Sequence, residues 1–210
     1  RLDIDRTTNV SSELNATGNA SSIMKEMTPY MAEISQQWPE GYTYKFGGDA
    51  ENTAENMGAV ISYLPLSGFI IILLLIIMFI SVRKSIMVVA TIPLGIIGVV
   101  IGLLIFQEPF GFMPFLGVIS LAGIVINNAI VLIDRIQIEE SEIKRPIQDA
   151  IIAACLQRFR PILLATFTTV LGLIPLYLSG GEMWEGMAVS IMVGLLFGTV
   201  ITLLFIPSLY

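Results

Sequence analysis

Five long apolar segments dominate the chain, near 58–81, 86–106, 114–136, 161–179 and 186–208. Each reaches or approaches the ~20 residues that a helix needs to cross ~30 Å of hydrocarbon. Backbone polar groups at that depth must bond within their own segment, so spans of this kind fold as helices. Composition agrees: the chain is 55% hydrophobic and 13% charged with a mean hydropathy of +0.81, against about 25% charged residues in a soluble domain. The expected fold is a membrane all-α bundle of five transmembrane helices at 57–210, preceded by a small α+β (βαβ) fragment at 1–56.

The βαβ expectation comes from three patterns. Arg1–Leu14 alternates loosely and is rich in Thr, Val and Ile, which suggests a strand. The turn residues NATGNASS follow. Ile23, Met24, Met27, Tyr30, Met31, Ile34 and Trp38 then recur at helical spacing, and Pro39, Glu40 and Gly41 end the helix. Tyr42, Tyr44 and Phe46 alternate with Thr43 and Lys45, which suggests a second strand. A unit this small needs further strands to hold a core. The first residues, RLDIDRTTNV, lack the apolar stretch of a signal peptide, and the chain reads as a piece of a longer protein. The N-x-S/T patterns at Asn9, Asn15 and Asn19 carry no functional weight here.

Basic residues set the orientation. Arg83 and Lys84 lie between the first two segments; Arg135, Lys144, Arg145, Arg158 and Arg160 lie in 135–160. The loops at 107–113 and 180–185 carry only Glu108, Glu182 and Glu185. The basic loops are therefore expected in the cytoplasm, residues 1–56 on the periplasmic side, and Tyr210 at the inner face of a bacterial inner membrane. Residues 139–158 read as a cytoplasmic amphipathic helix lying against the spans. Ile143, Ile147, Ala150, Ile151 and Ala154 share one face, and Glu139, Glu140, Glu142 and Lys144 lie away from it.

Lipid supplies no hydrophobic drive between helices, so small residues and buried polar groups must make the contacts. Gly95, Gly98, Gly102 and Gly172 are candidate packing positions, and Gly98 and Gly102 form a GxxxG pair. The third segment carries Ser120, Asn127 and Asp134 at intervals of seven, so all three fall on one stripe, with Asn128 displaced by about 100°. Such a stripe suits a proton or ion path, and equally suits bonds to neighbouring helices. Asp134 beside Arg135 also reads as a solvated end group, and Thr168 as a hydroxyl bonded to its own backbone.

The chain has no His and a single cysteine, Cys155, a small apolar residue in this setting. No metal or other cofactor is expected. No nucleophile elbow, phosphate loop, HExxH motif or basic groove for nucleic acid is present. Met24, Met27 and Met31 sit at core spacing and read as packing. Energy for any transport is expected from an ion gradient or from a part outside this chain, and not from ATP hydrolysis here.

Four stretches carry a resemblance: TIPLGIIG at Thr91–Gly98, GIVINNAIVLIDR at Gly123–Arg135, RFRPILLATFTTVLGLIPL at Arg158–Leu176, and the closing FIPSLY. The second and third, with their spacing and the charged stretch between, are specific. The chain resembles the last third of a resistance-nodulation-division (RND) permease of the acriflavine-resistance type, over nearly all its residues. The resemblance implies that the five spans are the eighth to twelfth of twelve, and that residues 1–56 end a periplasmic porter subdomain. It implies a homotrimeric inner-membrane proton antiporter, a secondary transporter and not an enzyme, working with a periplasmic adaptor protein and an outer-membrane channel. In the family, two acids on the fourth span titrate against a lysine on the tenth. That lysine position falls on Asn127, beside the shared asparagine at Asn128. The family's arginine at the start of the next span falls on Arg158. Its threonine falls on Ala165, with Thr166 adjacent.

The expected function is proton-driven export of drugs or other amphiphiles, with Ser120, Asn127, Asn128, Asp134, Arg158 and Thr166 as relay candidates. Export of a lipid or metal ion by the same fold is the related alternative. A non-transporting scaffold or accessory subunit for protein export is the alternative from another class.

Overall fold

The computed structural model describes residues 8, 10, 20–39, 41–44 and 49–210. Seven helices follow one another there: α1 (Ala20–Ser35), α2 (Asp49–Phe79), α3 (Val82–Val89), α4 (Thr91–Phe106), α5 (Phe112–Ser141), α6 (Ile147–Ser179) and α7 (Glu182–Leu209). Residues up to Gly58 and residues from Ala59 onward form two separate compact units.

The βαβ fragment does not hold. No strand occurs among the described residues. The first expected strand, Arg1–Leu14, lies almost wholly outside the described residues, as do Lys45 and Phe46 of the second. Tyr42, Thr43 and Tyr44 are described and form no ladder. The physical reason is visible at Trp38: its ring meets Tyr44 edge to face, with centroids 5.9 Å apart and planes at 83°. Tyr44 packs on a ring just past the end of α1, while Tyr42 stays exposed. The helical periodicity from Ile23 to Ile34 does form α1, which holds Pro29 within it.

In the second unit, five stretches are long and apolar enough to cross a membrane: Asn56–Phe79, Val82–Phe106, Phe112–Ser141, Ile147–Ser179 and Trp184–Leu209. The second is two helices joined at Ala90. Pro93 explains the break, because its ring excludes the hydrogen bond to the carbonyl of Val89. Between α2 and α3, Ile80 takes a left-handed conformation, φ 49°, which a β-branched side chain adopts only under strain. Ser81 then caps α3, accepting from the Lys84 N–H at 3.5 Å.

The stretch 139–158 is not one separate helix. Residues 139–141 complete α5, and the chain turns through Glu142–Pro146 with Lys144 left-handed at φ 57°. A single helix then runs from Ile147 through Pro161 to Ser179. Pro161 and Pro175 both lie inside this helix without ending it.

The last helix, α7, is the hub. It packs against α4, α5 and α6 and is the most buried span. One cluster joins Leu75 and Phe79 to Val88, Leu132, Ile133, Ile136, Ala154 and Ile206. A second joins Val99 and Leu103 to Leu121, Val125, Val189 and Leu195. Glycine makes the approach possible. A Cβ at Gly98 would stand 2.6 Å from Cβ of Phe197, and one at Gly102 would stand 2.7 Å from Cβ of Val193. Gly95 is in ordinary contact, 3.5 Å from Val125. Gly172 faces open space, so it makes no close helix contact among the described residues.

Gly98→Ala and Gly102→Ala are therefore expected to lower stability in detergent by about 1–3 kcal/mol each through overpacking, read as a fall in unfolding midpoint. Gly172→Ala is expected to leave the midpoint unchanged or slightly raised.

Candidate functional site

The third span, α5, carries the polar stripe, and the structure splits its members by side. Ser120 and Asn127 are exposed and Asp134 is half-buried, so the stripe runs down a face that no other described helix covers. Asn128, one residue on, is 8% exposed and turned into the bundle among Ile126, Ala129 and Leu132. The doubled asparagine thus serves two faces at once. No described residue forms an ion pair with Asp134.

The fourth span divides its threonines in the same way. Thr166 is buried at 2% exposure, and its hydroxyl shares a 2.8 Å hydrogen bond with Thr199 of α7. Thr168 and Thr169 return their hydroxyls to the carbonyls of Leu164 and Ala165, at 2.7 and 2.9 Å. Those two behave as local backbone bonds. Ala165 itself is exposed. Arg158 is half-buried, and its Nε lies in the interior without a hydrogen-bond partner. The structure therefore brings Thr166 into an interhelical bond, leaves Ser120, Asn127 and Asp134 together on an outward face, and sets Arg158 apart from both.

A polar group that the sequence reading assigned to a solvated face is in fact the most buried charge described. Glu139 is 0% exposed. Its Oε1 accepts from Arg135 Nη2 at 2.5 Å and from Gln157 Nε2 at 2.9 Å. Arg145 Nη1 lies 3.1 Å from its Oε2, an ion pair without hydrogen-bond alignment. Two neighbours extend the network. Gln137 accepts from Lys84 Nζ at 3.0 Å, and Glu140 accepts from the Tyr210 hydroxyl at 2.9 Å. Lys84 Nζ also sits 5.2 Å from the centre of the Tyr210 ring. Burial, together with the bond to Glu140 and its negative charge, pushes the Tyr210 hydroxyl above the usual phenol range. Arg135 four residues before Glu139 was the available sequence signal, since such pairs share a helix face. Thr199, Thr202 and Ser190 of α7 are buried too, and no motif marked them.

The Thr166–Thr199 bond yields a measurable coupling. Thr166→Val and Thr199→Val are each expected to cost about 0.6–2 kcal/mol. The double variant is expected to cost less than their sum, because neither hydroxyl is then left unpaired; a double-mutant cycle on detergent unfolding checks this.

Residues 1–210 match the AcrB/AcrD/AcrF family. The multidrug resistance protein MdtC of Edwardsiella ictaluri is 36% identical over 124 residues, covering 58% of this chain and 12% of that protein. MdtC of Pectobacterium atrosepticum is 30% identical over 175 residues, covering 82% of this chain and 17% of that protein. Among solved structures, the crystal structure of a heavy metal efflux pump superposes with a TM-score of 0.71 at 25% identity. That match covers 91% of this chain and 19% of the pump. The chain thus spans less than a fifth of the length of each of these proteins. The family match over the whole chain, and the two motifs that occupy α5 and α6, lead to one conclusion: the chain belongs to the AcrB/AcrD/AcrF family of resistance-nodulation-division permeases.

Proposed function

We propose that the chain forms part of a proton-driven efflux transporter of the bacterial inner membrane that exports drugs or other amphiphilic molecules. In this reading the basic loops are cytoplasmic and residues 1–56 are periplasmic. The protein acts as a homotrimer with a periplasmic adaptor and an outer-membrane channel. The observation that carries the proposal is the outward stripe of Ser120, Asn127 and Asp134 on α5. An amide and a carboxylate facing acyl chains are costly, so such residues face protein or water and mark a path. The stripe is therefore a seam for further helices of the longer protein, wet enough to pass protons.

Asn127 stands where the family places a lysine. An amide both donates and accepts, so it bonds an acid in either protonation state. It supplies no positive charge, so an acid facing it holds its proton more tightly than one facing a lysine. Proton release then falls to a higher pH range. Asn128 and Thr166, both turned inward, hold the bundle that presents the stripe.

The multidrug names of the MdtC relatives support the amphiphile reading. The likeness to the heavy metal efflux pump supports a second one, export of a metal ion by the same fold. Proteoliposomes of the intact protein separate them: an amphiphilic dye, or a load of monovalent copper or divalent zinc, should drive proton movement across the vesicle. Asn127→Leu is expected to reduce that proton flux by at least about tenfold, the loss of one hydrogen bond to a charged group, with insertion preserved. Undiminished flux in this variant would remove Asn127 from the mechanism. Substrate-independent behaviour with every load would favour an accessory membrane subunit.

A further inference from the structure

Asn127 and Asn128 differ in exposure only because α5 is held at one rotation about its axis. Turning the helix by a single residue, about 100°, brings Asn128 into the outward slot in one sense, and in the other carries Asn127 inward and Ile126 to the seam. Gly117 resists such a turn at its own level, where a side chain would meet Ser190 of α7, but the aliphatic contacts further along α5 resist it less, since one aliphatic side chain substitutes for another. A buried polar group does not tolerate it, because its partners sit in fixed directions, and register-setting is the best attested use of such groups.

The end of α5 has that device. Glu139 is wholly buried, and its carboxylate reaches Gln157 on α6 at 2.9 Å and Arg145 in the connecting turn at 3.1 Å. The backbone adds to it, since the Arg145 N–H bonds the Glu139 carbonyl at 3.2 Å. Gln137 and Glu140 reach Lys84 at the start of α3 and Tyr210 after α7. Gln137 and Glu140, three residues apart, share one face, where Lys84 and Tyr210 meet them, and Glu139 points to another side and finds Gln157. Arg135, within α5, balances the carboxylate's charge at 2.5 Å without fixing the helix to anything else.

We infer that Glu139 is a positioning residue: its clasp to Arg145 and Gln157 sets the rotation of α5 and so decides which of the two adjacent asparagines is presented on the outward seam. The clasp bears on the proposed proton path, but its test does not depend on transport.

The geometry supplies a direct register gauge. Cγ2 of Val125 lies 3.2 Å from where a Cβ on Gly198 would stand, and a disulfide places a Cβ roughly 3 Å from the far sulfur. In a Cys155→Ser background of the intact protein in membranes, Val125→Cys with Gly198→Cys is expected to oxidise readily. Ile126→Cys with Gly198→Cys, the slipped register, is expected to oxidise poorly. Thr166→Cys with Thr199→Cys reports folding of α6 on α7. The clasp is then cut by Arg145→Gln with Gln157→Leu, which leaves the Arg135–Glu139 pair intact and no buried charge uncompensated. Glu139→Gln serves as the second cut.

Each interhelical polar tie in a membrane shifts an equilibrium by about threefold. The ratio of native to slipped disulfide is accordingly expected to fall by about threefold or more in both variants, with the Thr166–Thr199 crosslink unchanged. An unchanged ratio would overturn the inference. Loss of the folding crosslink in both variants would overturn it as well, since the cluster would then hold the fold and not the register.

Discussion

Within hydrocarbon, one apolar helix gains nothing by leaving lipid for another, so this bundle depends on how closely its backbones approach. Gly98, Gly102, Gly117, Gly186 and Gly194 lie where any side chain would collide with the facing helix, and every one of these contacts involves α7. The closing helix therefore works as an axle. Around it the aliphatic clusters gain dispersion contacts that lipid tails pack less densely. Polar groups then add to the direction that the glycine faces already give this association. Thr166 with Thr199 does so between α6 and α7, and Glu139 does so near the C-terminal end of α5.

Charge is distributed according to the same logic. A carboxylate taken fully out of water is tolerable only with its partners in place, and Glu139 has Arg135, Arg145 and Gln157 around it. Asp134, five residues earlier, has no ion pair among the described residues and stays half-exposed. Two acids less than two turns apart thus take opposite roles, one spent on architecture and one left facing outward. The two asparagines divide in the same way.

The spans were readable because hydropathy over twenty residues averages out local accidents, and the seven-residue stripe on α5 was readable because helical geometry fixes it. The strand at Tyr42–Phe46 misled because three alternating residues are a weak signal, and a strand requires partners that a local pattern does not show. Tyr44 packs on Trp38 instead. Glu139 misled for a different reason. A carboxylate in a charged, loop-like stretch reads as solvated, and its burial depends on Gln157, which is brought near only when α6 doubles back. Gly172 shows the converse: small residues permit close packing but do not name the partner, and here none arrives from among the described residues. The side of α5 that each asparagine takes also depended on tertiary packing.

Adjacency of Asn127 and Asn128 has an evolutionary corollary. Suppose a residue is inserted between Asn128 and Glu139 while Glu139 stays anchored. Asn128 then inherits the outward slot, and the seam keeps its amide. A deletion in the same interval carries Asn127 into the interior slot and brings Ile126 to the seam. The twin amides thus cushion a length change toward a longer helix, while a shorter one silences the seam.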